Sequence, residues 1–166
     1  VRLGTNGKLD QTFNPQTAAD GEISKVALQS DGKIIIGGEF TRYDNIPANH
    51  LARLNPDGNL DVSFNPDLAP EYSVKTFLVQ PDGKIIIGGN FSVYNGTAVQ
   101  SLARLNIDGT LDSSFILGTG ANTGASSVVN TITIQPDGKI IIGGEFDYYA
   151  GTMLNFLTRL DSNGYL

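Results

Sequence analysis

The sequence predicts an all-β fold of β-propeller blades: three four-stranded antiparallel repeats of about 51–55 residues plus a partial fourth. The first observation behind this is a phrase, Asp-Gly-Lys-Ile-Ile-Ile-Gly-Gly, that occurs at 31–38, 82–89 and 137–144. Successive copies are 51 and 55 residues apart, and self-similarity at such a period marks a repeat architecture. The second is that no window sustains apolar residues at i, i+3, i+4 and i+7, so essentially no helix is expected. The third is that three consecutive isoleucines do not alternate, so their strand must be covered on both faces. Sheets stacked on neighbours at both sides meet that need, as in radially packed blades and some solenoids.

Each element follows from its residues. The chain opens on Arg2-Leu3, followed by Leu9-Asp10-x-x-Phe13, and 1–15 reads as a partial blade. The repeats follow at about 16–64, 65–115 and 116–166, making 1–166 a single repeat domain. Upstream of each phrase lies a short apolar strand: Val26 to Gln29, Phe77 to Gln80 and Ile132 to Gln135. Downstream come Arg53-Leu54, Arg104-Leu105 and Arg159-Leu160. The motif Leu-Asp-x-x-Phe then spans Leu60 to Phe64 and Leu111 to Phe115. Strands in the first full repeat are expected near 23–29, 33–40, 51–55 and 59–64.

Asn55-Pro56-Asp57-Gly58 suits a type I turn with glycine in the left-handed bulge position. That turn sets Asn55 opposite Asn59, Leu54 opposite Leu60 and Arg53 opposite Asp61. The same count pairs Arg2 with Asp10 and Arg104 with Asp112, giving three ion pairs from one assignment. In the preceding hairpin, Pro81-Asp82-Gly83 is read as setting Gln80 against Lys84 and Leu78 against Ile85. The Gly-Gly pair permits a close backbone approach or a sharp strand exit. Gly118 to Ser127 is turn-rich and reads as a longer surface loop. The first and last hairpins duplicate rather than complement each other, so the chain is expected to be a segment of a longer propeller.

Composition narrows the function classes. A formal net charge of −6 with scattered acids argues against nucleic acid, whose phosphates need a basic face. It also argues against an anionic membrane surface. No run approaches the ~18 apolar residues of a membrane helix, so no membrane insertion is expected. The N-terminus has no signal-peptide pattern, which carries no weight in a chain that opens at Val1 without methionine. There is no cysteine, so disulfides and thiolate metal sites are excluded.

The stretches LQSDGKIIIGGEF and LARLNPDGNLDVSF resemble the delta-60 repeat, a domain of unknown function that forms β-propellers. The resemblance covers nearly the whole chain. The apolar run ending in Gly-Gly is also similar to kelch blades, although phenylalanines Phe13, Phe64 and Phe115 stand near the place of the usual kelch tryptophan. The resemblance implies four-stranded blades in a large secreted or cell-surface bacterial protein, of the gliding, adhesive or polysaccharide-handling kind. It brings no established catalytic residues.

The candidate site residues are those that recur once per repeat. Glu39, Asn90 and Glu145 follow Gly-Gly directly and are expected to point to one rim, as a partly acidic ring. Tyr43, Tyr94 and Tyr149 share a second position, in the loop beyond, and suit an aromatic platform for protein or carbohydrate. Against this, a residue recurring in every blade more often serves the blade itself. Asp57-x-Asn59-x-Asp61 resembles the start of a calcium loop, but lacks the later glutamate and reads better as a hairpin turn. The single histidine, His50, has no partner identifiable by spacing and reads as a surface or packing residue. No catalytic, metal-binding or cofactor-binding residue is expected.

The function expected is therefore a noncatalytic scaffold or binding module, extracellular or on the cell surface. Its partners would be protein or carbohydrate at the rim and further blades of the same parent chain. One alternative is a propeller lyase or hydrolase with its site largely in other blades, for which His50 and Glu71 are the repeat-breaking candidates here. Another is a homodimer of three-blade chains closing one six-bladed ring.

Overall fold

The computed structural model describes residues 1–13, 16–64, 70–115, 121–122 and 127–166. Among these there is no helix, and every sheet pairing is antiparallel. Each repeat carries one three-stranded sheet. The first repeat has a first strand Ile23–Leu28, a central strand Ile34–Gly38 and a return strand Leu51–Leu54, with the central strand in the middle. The second repeats this at Val74–Val79, Ile85–Gly89 and Leu102–Leu105. The third does so at Val128–Ile134, Ile140–Glu145 and Leu157–Leu160.

Turn chemistry sets the register as expected for the second hairpin. Gly58 is left-handed at φ 94°, its N–H reaches Asn55 O at 2.9 Å, and Asn55 N–H reaches Asn59 O at 2.8 Å. Leu54 then bridges Leu60, and Asp61 N–H donates to Arg53 O. The first hairpin needs a correction. Gln80 N–H does donate to Lys84 O, but Val79, not Leu78, faces Ile85, and Leu78 faces Ile86. Counting outward symmetrically from a three-residue turn gives this result; the earlier pairing slipped by one residue.

The expected fourth strand near 59–64 contracts to the single bridge at Leu60. Asp61 is the reason. Its Oδ1 accepts Ser63 N–H at 3.0 Å and Ser63 Oγ–H at 2.7 Å, and its carbonyl accepts Phe64 N–H at 3.1 Å. Those bonds curl the backbone out of the extended form. The residues after the central strand instead form a small ribbon that the sequence did not announce. Its strands are Arg42–Tyr43 with Ile46–Pro47, Val93–Tyr94 with Thr97–Ala98, and Tyr148–Tyr149 with Thr152–Met153. Most of the loop read at 118–127 lies outside the described residues, but Ala121–Asn122 pairs with Tyr148–Tyr149.

The core lies between sheets. One cluster joins Ile35 and Leu51 of the first repeat to Ile85, Ile87 and Phe77 of the second. The next joins Ile86 and Leu102 of the second to Val129, Ile132 and Ile140 of the third. Neighbouring isoleucines of one strand thus serve opposite interfaces, and Ile85, Ile86 and Ile87 are all fully buried. This is the two-faced covering that the unbroken isoleucine run demands.

The Gly-Gly pair answers to both interfaces. A Cβ on Gly88 would lie 2.6 Å from Val129 Cγ1 of the next repeat, and one on Gly89 would lie 2.1 Å from Ser73 O of its own. The first glycine admits the neighbouring sheet. The second admits the irregular start of the first strand, where the register shifts between Val74 and Thr76.

Candidate functional site

The recurrent tyrosines are structural. Tyr43, Tyr94 and Tyr149 are among the largest fully buried side chains. Each donates its hydroxyl to the carbonyl of the glycine fifteen residues on: Gly58 at 2.8 Å, Gly109 at 2.6 Å and Gly164 at 2.8 Å. A buried phenol needs an acceptor, and each one ties its small ribbon to the turn that ends the return strand. Burial, helped by the nearby Asp44 carboxylate, pushes the Tyr43 hydroxyl up to about 12. Burial raises Tyr94 and Tyr149 further. The expectation that these rings form an exposed platform is therefore corrected: none reaches the surface.

The Arg–Asp pairs are also internal. Arg53 Nε meets Asp61 Oδ2 at 2.7 Å and Arg104 Nε meets Asp112 Oδ2 at 2.7 Å, with all four side chains at 6–8 % exposure. Lys33 and Lys84 add a second cation to each carboxylate, both at 2.7 Å. Arg53 lies 4.9 Å above the Phe64 ring and donates through Nη1 to Ile107 O, in the turn of the following repeat. Arg104 does the same with Phe115 and Ser162 O. Desolvation alone would raise Asp61 and Asp112, but hydrogen bonds from the lysine, the serine and the arginine hold both well below the usual carboxylate range. The first pair, Arg2 with Asp10, keeps the geometry at 2.8 Å but is more exposed. Asp61 is thus committed to cations of its own chain. Asp57 bonds Asn59 through both carboxylate oxygens, so the Asp57–Asn59–Asp61 spacing serves the turn.

What remains at the surface is the position directly after Gly-Gly. Glu39, Asn90 and Glu145 are all exposed, each at the finishing end of a central strand. Glu39 reaches Lys75 of the second repeat at 2.5 Å, and its carboxyl is lowered by the Lys75 hydrogen bond and charge. Asn90 Oδ1 accepts from Ser73 Oγ at 2.9 Å. Glu145 sits opposite Val128.

A second variable position stands beside the first, and the sequence reading did not connect it. His50, Ser101 and Phe156 precede the return strands, all in the left-handed region with φ of 65°, 68° and 67°. Their N–H groups donate to Phe40, Phe91 and Phe146, and their carbonyls accept from Gly38, Gly89 and Gly144. One backbone clasp therefore presents a histidine, a serine and a phenylalanine in turn. The signal available in the sequence was the residue before Leu-x-Arg-Leu, which changes type in every copy. His50 is half-buried, its Nδ1 is buried without a protein partner, and burial lowers its pKa against the raising influence of Glu39 and Asp20. Phe156 is 61 % exposed. Ser101 is covered and bonds Ser127 O at 2.8 Å.

Glu71 does not break the repeat. Its N–H donates to Val93 O and its carboxylate accepts from Ser92 Oγ. Asp20 does the same toward Arg42 O and Thr41 Oγ1 in the first repeat. Beside Ser73, Tyr72 is 53 % exposed, so the only aromatic ring flanking Asn90 in sequence is a non-recurrent one. Among the described residues, no group of three or more His, Asp or Glu side chains is placed to hold a metal ion.

Comparison with protein families gives one match, to the domain of unknown function (DUF5122) beta-propeller, over residues 29–64, 80–115 and 135–166. These three segments are the three repeats, each starting at the glutamine before the Asp-Gly turn. Comparison with curated proteins gives no match.

Proposed function

Because the chain belongs to the domain of unknown function (DUF5122) beta-propeller family, and its variable surface side chains stand on an invariant frame, we propose that it is a noncatalytic binding module. The observation that carries this reading is the pairing of Glu39 with His50, Asn90 with Ser101, and Glu145 with Phe156. Each pair is held by the same backbone hydrogen bonds at the end of its central strand. Such a frame fixes where side chains stand while leaving their chemistry free to differ, as repeat scaffolds do on a binding face. The partner is a protein or carbohydrate surface offering hydrogen-bond donors to the Glu39, Asn90 and Glu145 oxygens. Tyr72 and Phe156 supply exposed aromatic area beside them. An extracellular or cell-surface setting suits a chain without cysteine whose core is large enough to hold without disulfides.

The test is a combined glycan and peptide array probed with the wild type and with a Glu39→Ala, Asn90→Ala, Glu145→Ala triple variant. The expected result is a set of ligands bound by the wild type and lost by the variant, with an unchanged thermal transition. Ligands bound equally by both proteins would overturn the assignment of this rim.

A further inference from the structure

We propose that the outer face of the first repeat is a docking site for a two-stranded β-hairpin bearing the Asp-Gly-Lys-Ile-Ile-Ile-Gly-Gly phrase. At the two interfaces within the chain, the first strand of one repeat is buried by the preceding repeat. Val74 and Phe77 are 0 % and 2 % exposed, and Val129 and Ile132 are 0 % and 9 % exposed. The equivalent residues of the first repeat, by their register against Gly-Gly, are Ile23 and Val26. These stand 40 % and 57 % exposed, and Leu28 beside them is 72 % exposed.

The same face is already covered at its other half. The N-terminal hairpin, with its Leu3–Leu9 bridge, repeats the contact made inside the chain. Arg2 donates to Pro56 O at 2.6 Å, as Arg53 does to Ile107 O at 2.6 Å and Arg104 to Ser162 O at 2.7 Å. Phe13 packs against the cluster of Ile36, Tyr43 and Leu54. The hairpin thus stands where the return strand and turn of a preceding repeat would stand. What is open is the place of that repeat's first and central strands. An apolar cleft lies there, lined by Val26, Leu28, Ile34, Ile36 and Phe13.

Continuity with the two internal interfaces fixes the chemistry of the occupant. The covering face of a repeat presents Ala27 or Leu78 from its first strand, Ile35 or Ile86 from its central strand, and the first glycine of Gly-Gly. In the first repeat, Gly37 is the glycine against which Val74 and Phe77 seat. A hairpin of this kind would place its own glycine over Ile23 and Val26, and its central isoleucine over Leu28 and Ile34. A complete repeat from a second copy does not fit without displacing the N-terminal hairpin, since its return strand would occupy the same place.

The probe is a fluorescein-labelled peptide with the sequence of residues 74–91, which holds Leu78, Ile86 and Gly88. It is titrated with the full chain and read by anisotropy, with the mass of the unliganded protein measured by light scattering. The expected result is saturable binding to a monomer, weakened at least tenfold by Leu28→Asp in the protein or by Ile86→Asp in the peptide. Leu28 is exposed, so the variant keeps its fold, which circular dichroism checks. Leu157→Asp, at the opposite end of the molecule, is expected to leave binding unchanged. No saturable binding, or binding indifferent to Leu28→Asp, would overturn the proposal. So would a wild-type dimer broken by Leu28→Asp and unaffected by the peptide, which would make a second copy the occupant.

Discussion

Replacing Asp112 by alanine isolates the energetic role of the buried arginine latch. The substitution removes the acceptor of Arg104 Nε at 2.7 Å, of Lys84 Nζ at 2.7 Å and of the Ser114 hydroxyl at 2.6 Å. Arg104 is 7 % exposed, so its charge is left in the interior without a counter-ion, the case that costs ~3–5 kcal/mol. Arg104 retains Ser162 O, Ser114 Oγ and the Phe115 ring, which places the loss near the lower bound, at about 3 kcal/mol. For a chain of this size that corresponds to a fall in Tm of roughly 6–12 °C. Asp10→Ala removes the equivalent carboxylate from the more exposed pair, where solvent already screens the charges, and should leave the transition close to that of the wild type. Paired urea and thermal melts of the two variants provide the assay. Equal losses for Asp112→Ala and Asp10→Ala, or none for either, would refute the argument that burial decides the weight of this recurrent pair.

Three further outcomes follow from the same structure. Asp61 and Asp112 have folded-state pKa values below their unfolded ones, so their stabilisation is complete above about pH 4 and is lost as pH falls through the folded-state values. Acid unfolding of the Asp112→Ala variant should therefore depend less steeply on pH than that of the wild type, as circular dichroism would show. Tyr43 is raised to about 12, so its stabilisation holds below about pH 10 and is lost between there and about 12. Tyr94→Phe leaves the Gly109 carbonyl without its 2.6 Å donor and should cost ~1–3 kcal/mol in a urea titration. Gly89→Ala forces a Cβ against Ser73 O and should cost about 1–3 kcal/mol or more. Gly138→Ala meets no atom and bears only the strain of its φ of 82°, about 1–2 kcal/mol.

Much of the fold was legible because its determinants are local. Asn55-Pro56-Asp57-Gly58 specifies one turn, and that turn fixes Leu54 opposite Leu60 and Arg53 opposite Asp61. The isoleucine run required cover on both faces, and Ile85, Ile86 and Ile87 have it. The small ribbons were not legible, since two-residue strands are too short to show a period of two. The fourth strand was over-read because Leu60 to Phe64 looks extended until the Asp61 side chain is seen to cap Ser63.

The rim was half legible. The position after Gly-Gly could be aligned by eye, so Glu39, Asn90 and Glu145 were found. Repetition alone does not distinguish a displayed residue from a buried one. Tyr43, Tyr94 and Tyr149 recur as faithfully as the rim, and for the opposite reason. Their hydroxyls need Gly58, Gly109 and Gly164, acceptors fifteen residues away that only the folded chain brings near. His50, Ser101 and Phe156 escaped notice because their link is a shared backbone conformation, and their side chains differ.

The central claim is that the repeats interlock face to face, so that each central strand is protected by both neighbours. Native-state hydrogen exchange measured amide by amide tests this most directly. The account predicts the slowest exchange at Ile85 to Ile87, covered on both sides, and faster exchange at the half-buried Ile34 and Ile141 of the outer repeats. Equal protection of all three central strands, or a maximum in the first or third repeat, would contradict it.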